Sequence, residues 1–198
     1  EAINIHSHTL GENHFLTISG WNNLGLLYQD MGQFERAEKL HMNCLIMLEE
    51  CEENPIAYAT TLNNAAGALR GQKKFSRAES LLRKALEVYS GTVGKKHSLY
   101  AYGLNNLAAC LGGNMQYDEA QNCYREALEL SKDLFGTHSR NYAVGLANLA
   151  GTLEKTSQYN EALKIYKEAL DIAMEIFDNE AALCVSLRNR IEKLVSLQ

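Results

Sequence analysis

Four stretches of the chain align on one another without an internal gap, and this tandem register constrains the fold more than any other feature. They are WNNLGLLYQDMGQFERAE from Trp21, LNNAAGALRGQKKFSRAE from Leu62, LNNLAACLGGNMQYDEAQ from Leu104 and LANLAGTLEKTSQYNEAL from Leu146. The aromatic positions Phe34, Phe75, Tyr117 and Tyr159 lie 41, 42 and 42 residues apart. Ala37, Ala78, Ala120 and Ala162 keep the same separations, as do Asn23, Asn64, Asn106 and Asn148. Three independent registers do not coincide by chance, so the chain is a repeat array.

Within a unit the apolar residues recur at helical spacing. In the third, Leu104, Leu107, Ala108 and Leu111 fall at i, i+3, i+4 and i+7, one buried stripe. After a break at Gly112, Gly113 and Asn114 the stripe resumes with Tyr117, Ala120, Tyr124, Ala127 and Leu128. Each unit therefore reads as two antiparallel helices, A and B, whose small residues permit close approach and whose aromatic seals the turn. One pair cannot cover its own apolar face, so neighbours must stack. The pattern predicts A helices near 17–30, 57–70, 99–113 and 141–155, and B helices near 34–50, 75–90, 117–134 and 159–177. A single proline, Pro55, suits such long helices.

The whole of 1–198 reads as one repeat domain. Residues 1–16 are expected to be the tail of a preceding helix and its linker, and the repeats to occupy about 17–56, 57–98, 99–140 and 141–179. A capping helix is expected over 180–198, where Leu183, Leu187, Ile191, Leu194 and Val195 share a stripe; it reads equally as the first helix of a truncated fifth repeat. The first residue is Glu1 rather than methionine, as in a piece of a longer chain.

Composition narrows the function. The net charge of −5 argues against a nucleic-acid binder, which needs a basic face to displace phosphate counterions. No apolar run reaches the roughly 20 residues that span a bilayer. The five cysteines are odd in number and scattered, with no Cys-x-x-Cys, so neither a disulfide framework nor a zinc site is signalled and a reducing cytoplasmic compartment is expected. No metal or other cofactor is expected.

The pattern LNNLA-x-L, a turn, then Q-Y-x-E-A and Y-x-E-A-L resembles the tetratricopeptide repeat. The 42-residue period and the L-G-x-x-H linker, from Leu10 to His14 with Val93 to His97 a near variant, are similar to those of kinesin light chains. The resemblance covers about Ser19 to Phe177 and implies an all-α, right-handed α-solenoid of helix-turn-helix repeats. Trp21 in place of the first Leu, His41 where Leu82, Tyr124 and Tyr166 recur, and CEENP as the first linker depart from the pattern.

On helix A of each unit one row lies opposite the core stripe: Ser19, Asn23, Leu26 and Asp30; Thr60, Asn64, Gly67 and Gly71; Tyr102, Asn106, Ala109 and Gly113; Val144, Asn148, Gly151 and Lys155. In tetratricopeptide superhelices this side lines the concave groove, so the resemblance places these residues there. A floor of Gly and Ala leaves room for a guest backbone, and asparagine amides match an extended main chain. The peptide-binding candidates are accordingly Asn23, Asn64, Asn106 and Asn148, with Leu26 and Tyr102 for apolar contact and Arg70 and Lys155 selecting charge. The asparagines serve equally well as structural bonds to neighbouring backbone, and both readings stand at this point. Asn22, Asn63 and Asn105 lie nearer the adjacent A helix.

Glu49, Glu50, Glu52 and Glu53 form an acidic knot, and between Arg70 and Lys96 eight basic residues face only Glu79 and Glu87. Kinesin light chains bind peptides with acidic residues flanking a tryptophan, which implies an acidic partner. Against this, Arg77, Arg83 and Lys84 alternate with the buried stripe and read as a solvated face. A chaperone-tail clamp would need a basic residue before the groove asparagine, where Asn22, Asn63, Asn105 and Ala147 stand. Catalysis is not expected. GTVGKKH lacks phosphate-loop spacing, and no His-Glu-x-x-His or Gly-x-Ser-x-Gly occurs. His6, His8 and His14 have no matching ligand pair, and His14, His97 and His138 recur as punctuation between units. The expected function is a non-catalytic interaction scaffold holding a partner peptide in its groove, without nucleic acid or membrane. The alternative is a sensor or self-associating segment of a larger regulator, acting through its convex face or the stripe at 183–197.

Overall fold

A computed structural model of the chain describes residues 9, 11, 14–51, 54–178 and 181–196. Residues 1–8, 10, 12 and 13 of the expected amino-terminal tail, His6 and His8 among them, and Glu52 and Glu53 of the acidic knot lie outside the described residues. Among the described residues the chain is all-α: α1 Phe15–Asp30, α2 Phe34–Cys51, α3 Pro55–Gly71, α4 Phe75–Thr92, α5 Ser98–Gly113, α6 Tyr117–Phe135, α7 Arg140–Lys155, α8 Tyr159–Ile176 and α9 Ala182–Val195. Every end of the eight repeat helices falls within two residues of its expected position.

Local chemistry explains these boundaries. The A helices begin on side-chain caps that satisfy otherwise orphaned amides. His14 Nδ1 accepts from the Leu16 N–H at 3.2 Å, and His97 Nδ1 from the Leu99 N–H at 3.2 Å. Asn54 Oδ1 accepts from the Ala57 N–H at 2.9 Å ahead of Pro55, and Ser139 Oγ from the Tyr142 N–H at 3.3 Å. The recurring histidines are thus helix caps in two places. In the third, Ser139 takes the cap and His138 lies 3.1 Å from Glu175. Each A–B turn contains one left-handed residue: Gly32, Lys73, Met115 and Ser157, with φ of 71°, 60°, 61° and 60°.

The helices form two compact units, 1–95 and 96–198. In the first, α1 packs on α2 and α3, α2 on α3, and α3 on α4. Its core includes Leu62, Leu69, Leu82 and Tyr89. In the second, α5 packs on α6, α6 on α7, α7 on α8 and α8 on α9. Its core runs through Leu146, Leu149, Leu153, Tyr166 and Ile172 to Leu187 and Leu194. The repeated alanines Ala37, Ala78, Ala120 and Ala162 are all fully buried, which explains their register: a larger side chain would force the paired helices apart.

The α9 stripe is spent inside the second unit. Leu187 and Leu194 are buried there, Leu183 and Ile191 pack against the same core, and only Val195 of the five is exposed. Packing against the unit's own core takes four of these five side chains largely out of water.

Candidate peptide-binding groove in the first unit

Two A-helix rows converge in the first unit. Ser19, Asn23 and Leu26 of α1 face Thr60 and Asn64 of α3 across a cavity of about 380 Å³, closed by Phe15, Ile18 and Ile56 among others. Among the described residues no acidic or basic side chain lines it. Of the sequence-derived candidates, Asn23, Leu26 and Asn64 are therefore brought together. Arg70, half-buried in the last turn of α3, does not line the cavity. The remaining four belong to the second unit. Tyr102, 57 % exposed, and Asn106, half-buried, stand one turn apart on α5. Asn148 and Lys155 are exposed on α7.

Beneath the groove runs a polar network that the sequence signalled only as a departure from the repeat pattern at His41. This imidazole is 0 % exposed. Asn22 Nδ2 donates to Thr61 Oγ1 at 2.8 Å, and Thr61 Oγ1 donates to the Ala57 carbonyl at 2.8 Å. Asn22 Oδ1 is thereby turned to His41 Nδ1, 2.9 Å away. Gln29 Nε2 donates to the Asn64 carbonyl at 3.1 Å and meets His41 Nε2 at 3.0 Å. The only consistent assignment puts the proton on Nδ1, with Nε2 accepting. Burial pushes the His41 pKa down to about 4, so the ring is neutral. Gly25 makes the space: a Cβ there would stand 2.5 Å from His41 Cε1.

The expected glycine floor is occupied from within. A Cβ on Gly71 would lie 2.4 Å from Phe34 Cδ1, and one on Gly67 would lie 2.7 Å from Gln29 Oε1. These two positions seat the chain's own side chains, which corrects the expectation that they leave room for a guest backbone.

Four of the eight basic residues between Arg70 and Lys96 pair with acids of the first unit. Lys74 Nζ and Arg77 Nη1 each lie 3.1 Å from Glu38, Arg83 pairs with Glu79 at 2.9 Å, and Lys84 approaches Glu49 at 3.6 Å. Burial alone would raise the Glu38 pKa, but hydrogen bonds from Gln72 and Lys74 and the charges of Lys74 and Arg77 hold it below the usual value. Among the described residues no group of three or more His, Cys, Asp or Glu could hold a metal ion. No described helix is long and apolar enough to cross a membrane.

The tetratricopeptide repeat family matches over residues 16–91, 57–113 and 99–175. No curated protein sequence matches the chain significantly. Solved structures do. BtubC (BKLC) from P. vanneervenii superposes with a TM-score of 0.83 at 20 % identity, covering 98 % of this chain and 78 % of that one. A Podosopora anserina putative kinesin light chain with nearly identical repeats gives 0.76 at 15 % identity, covering 90 % and 85 %. The apo form of RapI gives 0.74 at 20 % identity, covering 98 % and 75 %. At these identities the likeness is one of fold: an all-α repeat solenoid of the kinesin-light-chain-like kind. With matches running from residue 16 to residue 175, the chain belongs to the tetratricopeptide repeat family.

Proposed function

We infer that this chain is a non-catalytic protein–protein interaction module that holds a short linear peptide against its A helices. The observation that carries the reading is the convergence of Asn23, Leu26 and Asn64 on one cavity. Amides supply donors and acceptors for an extended main chain, and Leu26 with Phe15 and Ile56 supplies apolar contact. Asn106 and Asn148, with Tyr102 beside Asn106, offer the same chemistry on the second unit's A helices. Lys155 and Arg70 would act on flanking residues of the ligand. The buried thiols of Cys44, Cys110 and Cys184, none of them in a disulfide, fit a reducing cytoplasmic compartment.

The test is capture of partners by the wild-type chain beside Asn64→Ala and Asn106→Ala variants, singly and combined, with helicity and melting followed in parallel. We expect variants that melt like the wild type and lose its partners. Unchanged capture by the folded double variant would overturn the reading.

A further inference from the structure

We propose that the first-unit groove takes an uncharged peptide segment anchored by one aliphatic or aromatic side chain, and that it discriminates against acidic and basic residues alike. The proposal rests on the peptide-groove reading and narrows its ligand. Its basis is the near-absence of charge on the two helices that build the groove. α1, FLTISGWNNLGLLYQD, carries one charged residue in 16, Asp30; α3, PIAYATTLNNAAGALRG, carries one in 17, Arg70. Both sit in the last turn, they are of opposite sign, and neither lines the cavity.

The lining divides into two kinds of neutral surface. Phe15, Leu26 and Ile56 expose 50 %, 39 % and 38 % of their surface, although each is a large apolar residue facing the same cavity as buried Ile18. Covering that patch with an apolar side chain removes its surface from water and is favourable. Ser19, Asn23 and Asn64 supply polar atoms without charge, and the side chains of Asn23 and Asn64 make no hydrogen bond to any other described residue. Asn22 and Thr61, by contrast, are committed to each other and to His41. Neutral amide partners suit a peptide's own neutral amides. A carboxylate or ammonium entering the cavity would lose hydration and meet no counter-charge among the described lining residues, a penalty that neutral segments escape. At about 380 Å³ the cavity lies at the small end of ligand clefts, which run to roughly 1,000 Å³. A single anchoring side chain and its adjoining main chain match that scale.

Four of the eight basic residues that would have favoured an acidic ligand are engaged elsewhere, with Lys74 and Arg77 on Glu38, Arg83 on Glu79 and Lys84 beside Glu49, and Arg70 does not line the cavity. Charge complementarity therefore points to a neutral occupant.

The experiment is selection from a random phage-displayed 12-residue peptide library on three baits: the wild-type chain, Leu26→Arg and Asn64→Ala, each checked for helicity and melting. Leu26 is exposed at the groove rim, so its replacement by arginine adds a charge without opening the core. We expect the wild type to enrich sequences with an apolar residue at one position and a several-fold depletion of Asp, Glu, Lys and Arg at the positions immediately beside it, which would sit in the cavity. Leu26→Arg should shift the selected population towards Asp and Glu, and Asn64→Ala should lose the wild-type sequences. Enrichment of acidic peptides by the wild type, with loss on Asn64→Ala, would overturn the charge inference and leave the groove standing. Sequences retained equally by Asn64→Ala, or no enriched sequence at all, would overturn the groove reading along with it.

Discussion

His41 carries the clearest consequences of a single side chain. Its pKa, lowered by burial from 6.5 to about 4, makes folding sensitive to mild acid. Between those values the unfolded chain binds a proton that the folded chain refuses, so stability is complete above about pH 6.5 and declines as pH falls towards 4. The full loss is about 3 kcal/mol for a shift of this size. Urea melts between pH 4 and 7 should show that slope, and His41→Leu should flatten it. The same substitution removes the partner of Asn22 Oδ1 and should cost about 1–3 kcal/mol at pH 7. Gly25→Ala should also destabilise the first unit, by about 1–3 kcal/mol, because the ring 2.5 Å from the new Cβ is bonded at both nitrogens and has nowhere to swing. The register exposed His41 as a departure from the pattern, and the helical angle of Asn22 directed it at the adjacent A helix, where it meets Thr61. The bond between His41 and Asn22 was not legible, since it depends on how far α2 presses onto α1, a quantity without a period in sequence.

At the level of elements, the turns carry a removable strain. Met115 is exposed and left-handed at φ 61°, a conformation that costs a side chain roughly 1–2 kcal/mol relative to glycine. Glycine's greater freedom in the unfolded chain offsets part of that gain, so Met115→Gly should raise stability by about 0.5–1 kcal/mol in thermal melts. The attachment of α9 depends on Glu154, which accepts from Arg190 Nη1 at 2.8 Å, Lys193 Nζ at 2.9 Å and the Tyr166 hydroxyl at 3.3 Å. Burial would raise the Glu154 pKa, and its hydrogen bonds to Lys193 and Arg190 bring it below the ordinary value instead. Both basic partners are well exposed, so the expected cost of Glu154→Gln is about 1 kcal/mol. Amide exchange should report it as faster exchange along α9 than along α5 to α8; uniform protection would refute the latch. Helix spans were readable to within two residues because caps, glycines and apolar period all mark them. The destination of the α9 stripe was not, because an apolar stripe looks the same whether it meets a neighbour or solvent.

For the molecule as a whole, each compact unit has its own buried leucines and tyrosines, and repeat stability is a sum of local terms and nearest-neighbour interfaces. A chain restricted to residues 96–198, which holds five of the described helices, should retain cooperative melting in circular dichroism. A featureless, non-cooperative melt would show that its core is insufficient alone. The array itself was legible because a 42-residue echo survives in three kinds of residue. The neutrality of the groove was less so: charge density was conspicuous in the sequence between Arg70 and Lys96, and only the ion pairs reveal how much of it is consumed locally.

The bond between Asn22 and Thr61 bears on how such an array can change by duplication. Thr61 stands where the other repeats have Gly20, Gly103 and Gly145, and in the fourth repeat that bare position admits Leu128, whose Cδ2 would lie 2.9 Å from any Cβ on Gly145. His41 and Thr61 are thus idiosyncrasies of two successive repeats that satisfy each other through one asparagine. Copying the first repeat into another slot would strand a buried imidazole–amide pair, and copying α3 in place of α7 would drive a threonine into a leucine. Despite their shared ancestry in pattern, the repeats are no longer interchangeable parts, and the order of the first two has become fixed.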